Sequence, residues 1–520
     1  MRPGTDLSIS QLTTQLRVDS IRCSTAAGSG YLTSSLSAAD LMAVLLVIHL
    51  LTRLQAEGSM WEALDKASHY RIANLTAIID VNRRGQRGPT ELGWDLEVHR
   101  RRIEAFGCRA LLVDGHDVEA IDATLTECRQ DGEHVGVVPA RIVKGRGVKE
   151  PEDAESWHGR ALPVELAERV TAVLGEAVPI TVTSHRPPPS PPYRKTAVPG
   201  AISLPRYEFG ALVATRLAFG DALQAPVGHP EVVVLDGEVA NSTYAEELAA
   251  ACPDYSFETL ISEQQMIGAA VGQAARGYRS FASASAAFVS RAADFFRMAA
   301  SSKVRVRING SHADVEIGAD GRSQMGLEDL ALMQAIKHST VPHLSDATSA
   351  AELTAAMIDL GYICYLWTPR AAYPVLYGSD EAFPVGGAKV LRPFPYDDVR
   401  LVGVGVAVHQ FLDAANDVVQ EGISARVIDA YSVKPMETSA LLDACESTSG
   451  RLVVAEGHHP EGGLGAAVAL AISGREASSR TVHLAVRAGP MSGTSTALLE
   501  YAGISAYHIR AAAHALVGRS

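Results

Sequence analysis

The stretch Leu260-Ile261-Ser262-Glu263-Gln264-Gln265-Met266-Ile267-Gly268 has an acid directly after a short apolar strand and at the start of a helix of small residues. This transition from strand to helix is typical of an α/β fold. A carboxyl group buried at such a strand end has its pKa raised, so Glu263 could exchange a proton with a bound heteroaromatic ring. The position also suits a purely structural carboxylate, and the rest of the chain decides between the two roles.

The same alternation of strands and helices runs along the whole chain. Short apolar and β-branched stretches predict buried strands, and longer amphipathic stretches predict the helices between them. The expected strands are 75–80, 109–113, 231–236, 304–308, 400–404, 425–429 and 451–455, and the clearest helices are 210–224 and 328–337. The sequence therefore predicts three consecutive doubly wound α/β domains.

A proline-rich stretch forms the clearest boundary in the chain. The sequence Arg186-Pro187-Pro188-Pro189-Ser190-Pro191-Pro192-Tyr193 excludes a helix and favours an extended connection, and prolines continue loosely to Pro205. We expect a first domain at 1–185, a linker at 186–205, a second domain at 206–382 and a third at 383–520.

The composition of the 520-residue chain excludes several classes of protein. Its net charge of −13 is unsuited to sequence-independent binding of nucleic acid, which needs a basic surface. The six cysteines form no CxxC pair, which argues against a zinc site or disulfide framework and favours a reducing cytoplasm. Residues 1–6 do not resemble a signal peptide, and the apolar run 41–51 is about half the length that spans a membrane. We expect that run to be a buried helix, with no membrane association.

Short motifs are distributed over nearly the whole chain. They lie at 26–30, 57–63, 80–86, 113–116, 144–147, 155–159, 214–216, 241–243, 260–268, 318–325 and 461–465. In this order they resemble the transketolase family, which depends on thiamine diphosphate, and more closely its animal-like branch than its yeast-like branch. The resemblance implies a thiamine diphosphate-binding fold and the transfer of a two-carbon ketol unit between sugar phosphates, from a ketose donor to an aldose acceptor.

For the first domain, the resemblance implies part of a cofactor site. Asn82 and the backbone carbonyl of Arg84 match positions that bind a divalent metal, Mg²⁺ or Ca²⁺, and oxygen donors at a strand end suit such an ion. Ser34, Lys144 and His158 match contacts to thiamine diphosphate, and His158 also matches a catalytic position. Each of these residues alone could equally be a polar residue of a turn.

For the second domain, the resemblance implies the groups that act on the cofactor and hold the sugar. Glu263 matches the acid that protonates the aminopyrimidine, and Phe288 matches a ring that packs on it. Guanidinium groups suit a phosphate dianion, and carboxylate and amide groups suit sugar hydroxyls. The positions that match sugar-phosphate contacts are Arg216, Ser242, His312, Asp320, Gln324 and Arg370. The resemblance also implies a homodimer, with the cofactor between the first domain of one subunit and the second domain of the other.

The sequence departs from the family pattern in its first domain. Roughly a hundred residues, the size of a small domain, are absent between the run 41–51 and Glu57. The missing stretch holds a Gly-Asp-Gly segment whose aspartate binds the metal; Thr52 falls at that position, followed by Arg53. A hydroxyl beside a cation is a poor magnesium site. We therefore expect a truncated first domain of doubtful independent stability and weakened cofactor binding.

Three single positions also differ from the family pattern. Tyr31 stands where the family has a substrate-binding histidine, Ser285 where it has a second aromatic residue, and Arg160 where it has lysine.

The chain could be a transketolase with impaired activity, a non-catalytic homologue that acts as partner or regulator of a complete one, or an incomplete translation of an ordinary transketolase gene. Another thiamine diphosphate enzyme, such as deoxyxylulose phosphate synthase or a dehydrogenase E1 component, is the remaining alternative, although the motifs 157–159 and 318–325 favour transketolase.

Overall fold

The chain folds as two compact units, residues 1–191 and 192–520. The structure, a computed structural model, describes residues 9–27, 32–42, 57–85, 88–175, 203–225, 231–392, 396–473, 479–489 and 491–518. Several expectations lie outside these ranges: most of the buried helix at 41–51, most of the linker at 186–205, and the departures at Tyr31, Thr52 and Arg53.

The first unit is built around a parallel sheet of four short strands. Its described elements are α1 (Ile9–Ala27), α2 (Leu32–Ser37), α3 (Gly58–His69), β1 (Thr76–Val81), α4 (Leu96–Ala105), β2 (Arg109–Ala110), β3 (Val113–Asp114), α5 (Val118–Asp131), β4 (Gly136–Arg141) and α6 (Val164–Leu174). Strand β4 lies in the middle, with β1 on one side and both β2 and β3 on the other. Ile78 packs into the core on one face of the sheet and Ile79 into the core on the other, as expected for a sheet covered on both faces.

The strand predictions for this unit are correct with one correction. The strand expected at 75–80 is β1. The strand expected at 109–113 is instead divided into β2 and β3. The amide of Leu111 still donates to the carbonyl of Val137, so regular pairing with β4 is interrupted only around Leu112 and resumes at Val113.

The second unit contains two larger sheets, and the first of them is wholly parallel. Its strands lie in the order β11-β9-β8-β6-β7. The described elements of this half are β5 (Leu212–Ala214), α7 (Thr215–Gln224), β6 (Val232–Asp236), α8 (Ala240–Thr243), α9 (Ala245–Ala251), β7 (Ser256–Glu258), α10 (Glu263–Ala275), β8 (Arg279–Ser285), α11 (Ala286–Val289), α12 (Ala293–Ser301), β9 (Val306–Ala313), α13 (Asp329–Ala335), β10 (Val341–Pro342), α14 (Ala347–Met357), β11 (Ile363–Pro369) and β12 (Ala372–Pro374). Helices α10 and α12 cover one face of the sheet, and α7 and α14 cover the other.

The second sheet of this unit has strand order β13-β15-β14-β17-β18. Only β13, at its edge, is antiparallel to its neighbour among the described strands. The elements are β13 (Lys389–Val390), β14 (Val399–Gly403), α15 (Val406–Gln420), β15 (Ala425–Asp429), β16 (Ser432–Lys434), α16 (Thr438–Ser447), β17 (Arg451–Ala455), α17 (Leu464–Ile472), β18 (Arg480–Leu484), α18 (Ser495–Tyr501) and α19 (Ala506–Val517).

The predicted fold of three α/β domains is confirmed, with local corrections. The strands expected at 231–236, 400–404, 425–429 and 451–455 are present within one residue. The strand expected at 304–308 begins at Val306 and continues to Ala313, because β8 and β11 pair with it on both sides. The helix expected at 210–224 begins only at Thr215, since the residues before it pair with β12, and the helix expected at 328–337 is α13. The division into segments at 185, 205 and 382 stays a prediction.

No helix within the described ranges is long and apolar enough to cross a membrane.

Candidate functional site

The site residues predicted for the second unit collect at one edge of its parallel sheet. Glu263 follows β7, Ser242 follows β6 and Phe288 follows β8. His312 lies at the end of β9, and Arg370 comes directly after β11. The carboxyl ends of parallel strands meet at one edge, which is where doubly wound sheets bind ligands. Sheet topology therefore brings together residues that lie far apart in sequence.

Two arginines lie side by side at this edge. Arg216, in the first turn of α7, donates hydrogen bonds to the backbone carbonyls of Arg370 (3.2 Å) and Ser242 (2.8 Å). Its guanidinium also lies 5.0 Å from the ring centre of Tyr244. Burial, and then the charge of Arg370, lower the pKa of Arg216. Two cations held near one another by backbone contacts favour a doubly charged anion as ligand.

His312 belongs to the same group. Its Nδ1 lies 3.0 Å from the hydroxyl of Ser311. Burial, followed by the positive charges of Arg216 and Arg370, lowers the pKa of His312 to about 4. The imidazole is therefore neutral near pH 7, and an anion bound beside it would raise its pKa.

Asp320 reaches the arginines from the loop at 315–325. Arg370 donates from Nη1 to the Asp320 carboxylate at 2.8 Å and to the carbonyl of Ile317 at 2.7 Å. The Asp320 side chain is 44% exposed, so water and solutes can reach this ion pair. Gln324 lies further along the same loop in a short 3-10 turn and is partly buried.

The loop that carries Asp320 is supported by the segment that follows β18, the edge strand of the second sheet. The amide of Gly493 donates to the carbonyl of Gly318 at 3.4 Å. Gly321 has a φ of +77°, and a Cβ there would lie only 2.6 Å from the Ser492 hydroxyl, so glycine is required. The hydroxyl of Ser495 donates to Glu316 at 2.7 Å. The position of Asp320 thus depends on residues that follow β18.

Glu263 is buried at the start of α10, with a side chain only 2% exposed. Its Oε2 accepts no hydrogen bond from any described residue. Nη1 of Arg291 approaches this oxygen to 3.2 Å, which makes an ion pair without hydrogen-bond geometry. A buried carboxylate oxygen that lacks a donor is costly unless a ligand supplies one. Phe288, on the neighbouring α11, is partly exposed.

The backbone at this edge is also strained. Positive φ angles occur at Glu238 (62°), Tyr244 (59°), Leu260 (54°) and His312 (57°), none of which is glycine. Each of these conformations is unfavourable for a residue with a side chain. Such strain concentrates at functional sites, where the surrounding structure holds it.

In the first unit, the predicted residues follow β1 and β4. Asn82 comes directly after β1, and its side-chain oxygen accepts a hydrogen bond from the amide of Arg84 at 3.0 Å. The guanidinium of Arg84 pairs with Asp153 at 2.9 Å and with Glu155 at 3.2 Å. The oxygen of Asn82 is thus engaged within its own turn. Ser34 lies in α2, and its side chain is outside the described part of the structure.

Lys144 and His158 are brought together. Nζ of Lys144 lies 3.3 Å from Nδ1 of His158 and 3.3 Å from the carbonyl of Gly85, in the loop that follows Asn82. Burial lowers the pKa of Lys144, and burial followed by the Lys144 charge lowers that of His158. The described residues contain no group of three or more His, Cys, Asp or Glu side chains that could hold a metal. A lysine and an imidazole suit an anion, and the divalent metal at Asn82 and the Arg84 carbonyl stays a prediction.

Sequence reasoning missed three contributors to the site. Arg291 lies three residues after Phe288 and contacts Glu263. Tyr244 lies beneath the guanidinium of Arg216, and Ile317 offers its carbonyl to Arg370. No local signal in the sequence marks these contacts, because they depend on which strands and loops are neighbours in the folded sheet.

Comparison with known proteins covers most of the chain. The transketolase thiamine diphosphate binding domain matches residues 13–179, the pyrimidine binding domain 211–375 and the C-terminal domain 386–509. Transketolase-like protein 2 of Mus musculus is 40% identical over 465 residues, which are 88% of this chain and 73% of that protein. Transketolase of Homo sapiens is 37% identical over 473 residues, which are 89% of this chain and 75% of that protein.

Two solved structures are similar in fold. Transketolase from Campylobacter jejuni aligns with a TM-score of 0.82 over 99% of this chain and 100% of its own, at 16% identity. A chain described as a split gene transketolase in an inactive beta4 tetramer aligns over 59% of this chain and 99% of its own, with 32% identity and a TM-score of 0.54. The domain matches follow one another in order, and the identity to animal relatives extends over most of both sequences, so the chain belongs to the transketolase family.

Proposed function

We propose that this chain transfers a two-carbon ketol unit between sugar phosphates with thiamine diphosphate as cofactor. One observation carries the proposal: five predicted site residues, from five separate parts of the sequence, lie at or after the carboxyl ends of the five strands of one parallel sheet. A structural role for these residues would not require this convergence. Family membership supports the same conclusion.

The residues of the second unit fit the aminopyrimidine of the cofactor. The buried Oε2 of Glu263 lacks a hydrogen-bond donor among the described residues, and a protonated ring nitrogen would supply one. When bound, thiamine diphosphate supplies the nucleophilic carbon that takes up the two-carbon unit. Glu263 holds and exchanges the proton of the ring, Phe288 packs against it, and Lys144 with His158 offers donors to the diphosphate. Magnesium or calcium at Asn82 and the Arg84 carbonyl stays a prediction, and no step depends on it.

The substrate would be held at the arginine pair. Arg216 and Arg370 bind the phosphate of a sugar, with His312 and the Ser242 segment beside them. Asp320 and Gln324 then lie on a loop from which they can accept and donate hydrogen bonds to sugar hydroxyls. Transketolase structures from Pichia stipitis have been solved in complex with sedoheptulose-7-phosphate and with fructose-6-phosphate. These complexes support phosphorylated ketoses as the substrate class.

A second candidate function follows from the division of the molecule. The chain described as a split gene transketolase in an inactive beta4 tetramer aligns over 99% of its own length with 59% of this chain. We infer that this chain could be a non-catalytic partner or regulator that needs a complete homologue for activity. Either function suits a homodimer or a mixed dimer, in the cytoplasm, with the segment boundaries at 185, 205 and 382 as predicted from sequence.

A labelling experiment separates the two functions. The purified full chain is incubated with thiamine diphosphate, magnesium, a ketose phosphate labelled with ¹³C at C1 and C2, and an unlabelled aldose phosphate. Mass spectrometry should detect a product that is two carbons longer than the acceptor and carries both labels. If no label is transferred by the chain alone, but the chain changes the rate of an added complete transketolase, the partner function is correct. If neither effect is seen, both proposals are wrong.

A further inference from the structure

Both arginines of the site extend from one two-stranded antiparallel ribbon. Strand β5 pairs with β12, and Ala214 is the partner of Ala372. Arg216 follows Ala214 by two residues, and Arg370 precedes Ala372 by two residues. Because the strands run in opposite directions, both arginines lie at the same end of this β5–β12 ribbon. The position of the arginine pair therefore depends on how the ribbon is held.

Glu316 connects the β5–β12 ribbon to the loop that carries Asp320. The hydroxyl of Tyr373, in β12, donates to Oε2 of Glu316. The hydroxyl of Ser495 donates to the same oxygen at 2.7 Å. Glu316 is only 2% exposed, so water does not compete for these contacts. One side chain thus joins the ribbon, the loop and the segment that follows β18.

The ring of Tyr373 is itself held in place. It stacks on the imidazole of His409 in α15, with 4.5 Å between the ring centres and 22° between the ring planes. Nε2 of His409 donates in turn to the carbonyl of Ser345 at 2.7 Å. Tyr373 also packs against the apolar cluster that contains Ile317 of the Asp320 loop. The hydroxyl of Tyr373 is therefore a fixed point of the ribbon.

A second contact joins the same two parts, but a bound phosphate would compete with it. Arg370 pairs with Asp320, and both side chains are accessible to solutes. The contacts of Glu316 involve neither guanidinium of the arginine pair, so an anion there leaves them intact. With phosphate bound, the buried carboxylate is the link that persists.

We propose that Glu316 is a positioning residue for the substrate, which keeps the arginine pair and the Asp320 loop at a fixed spacing while a sugar phosphate binds both. This inference rests on the proposed function and deepens it. A ligand that contacts two groups held in place gains affinity over a ligand that contacts one, because less freedom is lost on binding. Inorganic phosphate contacts only the arginines. The ratio of its Kd to that of a sugar phosphate therefore measures this gain.

Four variants test the link. Tyr373→Phe removes one hydroxyl and keeps the ring that stacks on His409. Glu316→Ala removes the acceptor, whereas Glu316→Gln keeps a carbonyl oxygen for both hydroxyls. The amide nitrogen of that glutamine would replace Oε1, to which no described residue donates. Tyr377→Phe is the matched control, because its hydroxyl also binds a buried carboxylate, that of Asp429, outside the Asp320 loop.

Calorimetric titration of the full chain, with no cofactor added so that turnover does not occur, gives the Kd values of fructose 6-phosphate and inorganic phosphate. We expect wild type to prefer the sugar phosphate, and this preference to fall about three- to tenfold in Tyr373→Phe and Glu316→Ala, as for the loss of one hydrogen bond. Tyr377→Phe should match wild type, and Glu316→Gln should lie closer to wild type than to Glu316→Ala.

Three outcomes of the titration would overturn the inference. They are a wild-type preference in Tyr373→Phe, a loss in Tyr377→Phe equal to that in Tyr373→Phe, and a loss in Glu316→Gln equal to that in Glu316→Ala. Tyr373→Phe carries the test if Glu316→Ala does not fold.

Hydrogen exchange separates this inference from the proposed function, because it needs no ligand. Strand β5 pairs with β12 and contains none of the substituted residues. We expect its amides to exchange about three- to tenfold faster in Tyr373→Phe than in wild type or Tyr377→Phe. If wild type does not prefer the sugar phosphate, the proposed substrate binding fails, and the exchange of β5 then decides whether Glu316 holds the ribbon. Unchanged exchange in Tyr373→Phe contradicts that role.

Discussion

Arg370 is bound to Asp320 within the same subunit, with 2.8 Å between Nη1 and the carboxylate oxygen Oδ2. Both side chains are accessible, at 40% and 44% exposure. A phosphate that binds Arg370 must therefore compete with a carboxylate. The same contact ties the proposed phosphate-binding residue to the loop that we propose contacts the sugar hydroxyls.

The first prediction concerns this competition. Asp320→Asn should strengthen the binding of inorganic phosphate by about two- to fivefold, because an exposed ion pair contributes about 0–1 kcal/mol. Inorganic phosphate has no sugar hydroxyls, so it reports on the arginines alone. Titration followed by NMR measures the affinity, with Arg370→Ala as the opposite variant, which should weaken binding. Unchanged affinity in Asp320→Asn would mean that the carboxylate does not occupy the anion site in solution.

The second prediction concerns pH. The pKa of His312 is about 4 in the free protein, as a result of burial and of the charges of Arg216 and Arg370. A bound dianion raises this pKa, so binding takes up protons and affinity increases as the pH falls toward 5. Sulfate is a suitable probe, because it remains a dianion throughout this range. We expect sulfate affinity to rise between pH 7 and 5 in wild type and to change little in His312→Gln. A wild-type affinity that is flat with pH would contradict the placement of His312 beside the anion.

The third prediction concerns the stability of the second unit. Asp429 is fully buried and accepts a hydrogen bond from Tyr377 at 2.7 Å, and burial raises its pKa to about 7. The folded state therefore holds a proton that the unfolded state has lost above its ordinary pKa of about 3.9. The contribution of Asp429 to the free energy of unfolding is fully present below the unfolded-state pKa of about 3.9. It is lost as the pH rises through about 7, and the free energy of unfolding falls by roughly 2–4 kcal/mol.

Asp429→Asn should flatten this dependence, because an amide does not titrate. Urea unfolding of the full chain between pH 5 and 8, followed by circular dichroism, gives the free energy of unfolding at each pH. Glu381→Gln, which removes an exposed carboxylate paired with Lys389, is the control and should leave the slope unchanged. If the free energy of unfolding of Asp429→Asn changes with pH as steeply as that of wild type, Asp429 is not the group that carries the proton.

The fourth prediction concerns whether each of the two units folds without the other. Residues 203–520 contain both five-stranded sheets and extensive apolar cores of their own, so this fragment should fold without the first unit. Residues 1–185 should not fold stably alone, because a small core buries too little surface. Cooperative urea unfolding of the larger fragment, with a midpoint close to that of the second unit in the full chain, is expected. Aggregation or a non-cooperative transition of residues 203–520 would show that its stability depends on the first unit.

The seven strands predicted from sequence are present because each is a short apolar stretch bounded by polar residues, whereas β4, β7, β8, β11 and β18 were not among the predictions. The family resemblance predicted Glu263, His312 and Arg370 as site residues, and the structure places them at one edge of one sheet, while their roles stay predictions. The strand predictions failed at two places. The single strand predicted at 109–113 is divided into β2 and β3, and β9 extends beyond its predicted end. These features depend on the neighbouring strand and not on local periodicity.

Contacts between strand-end loops were beyond sequence reasoning. Arg370 and Asp320 are 50 residues apart, and both were identified, but their ion pair was not. Arg291 was not identified at all, because its significance lies in the order β8-β6-β7, which brings its loop toward Glu263. Strand order in a sheet is a global property, and a local pattern does not determine it.

The most direct test of the central claim is ketol transfer by Glu263→Gln. An amide has nearly the same shape as the carboxyl group but cannot exchange the proton that the aminopyrimidine requires. The account predicts that transfer of the ¹³C-labelled two-carbon unit falls by about 10²- to 10⁴-fold, while the urea unfolding transition is unchanged. Transfer within about tenfold of wild type would contradict the account and leave Glu263 with a structural role.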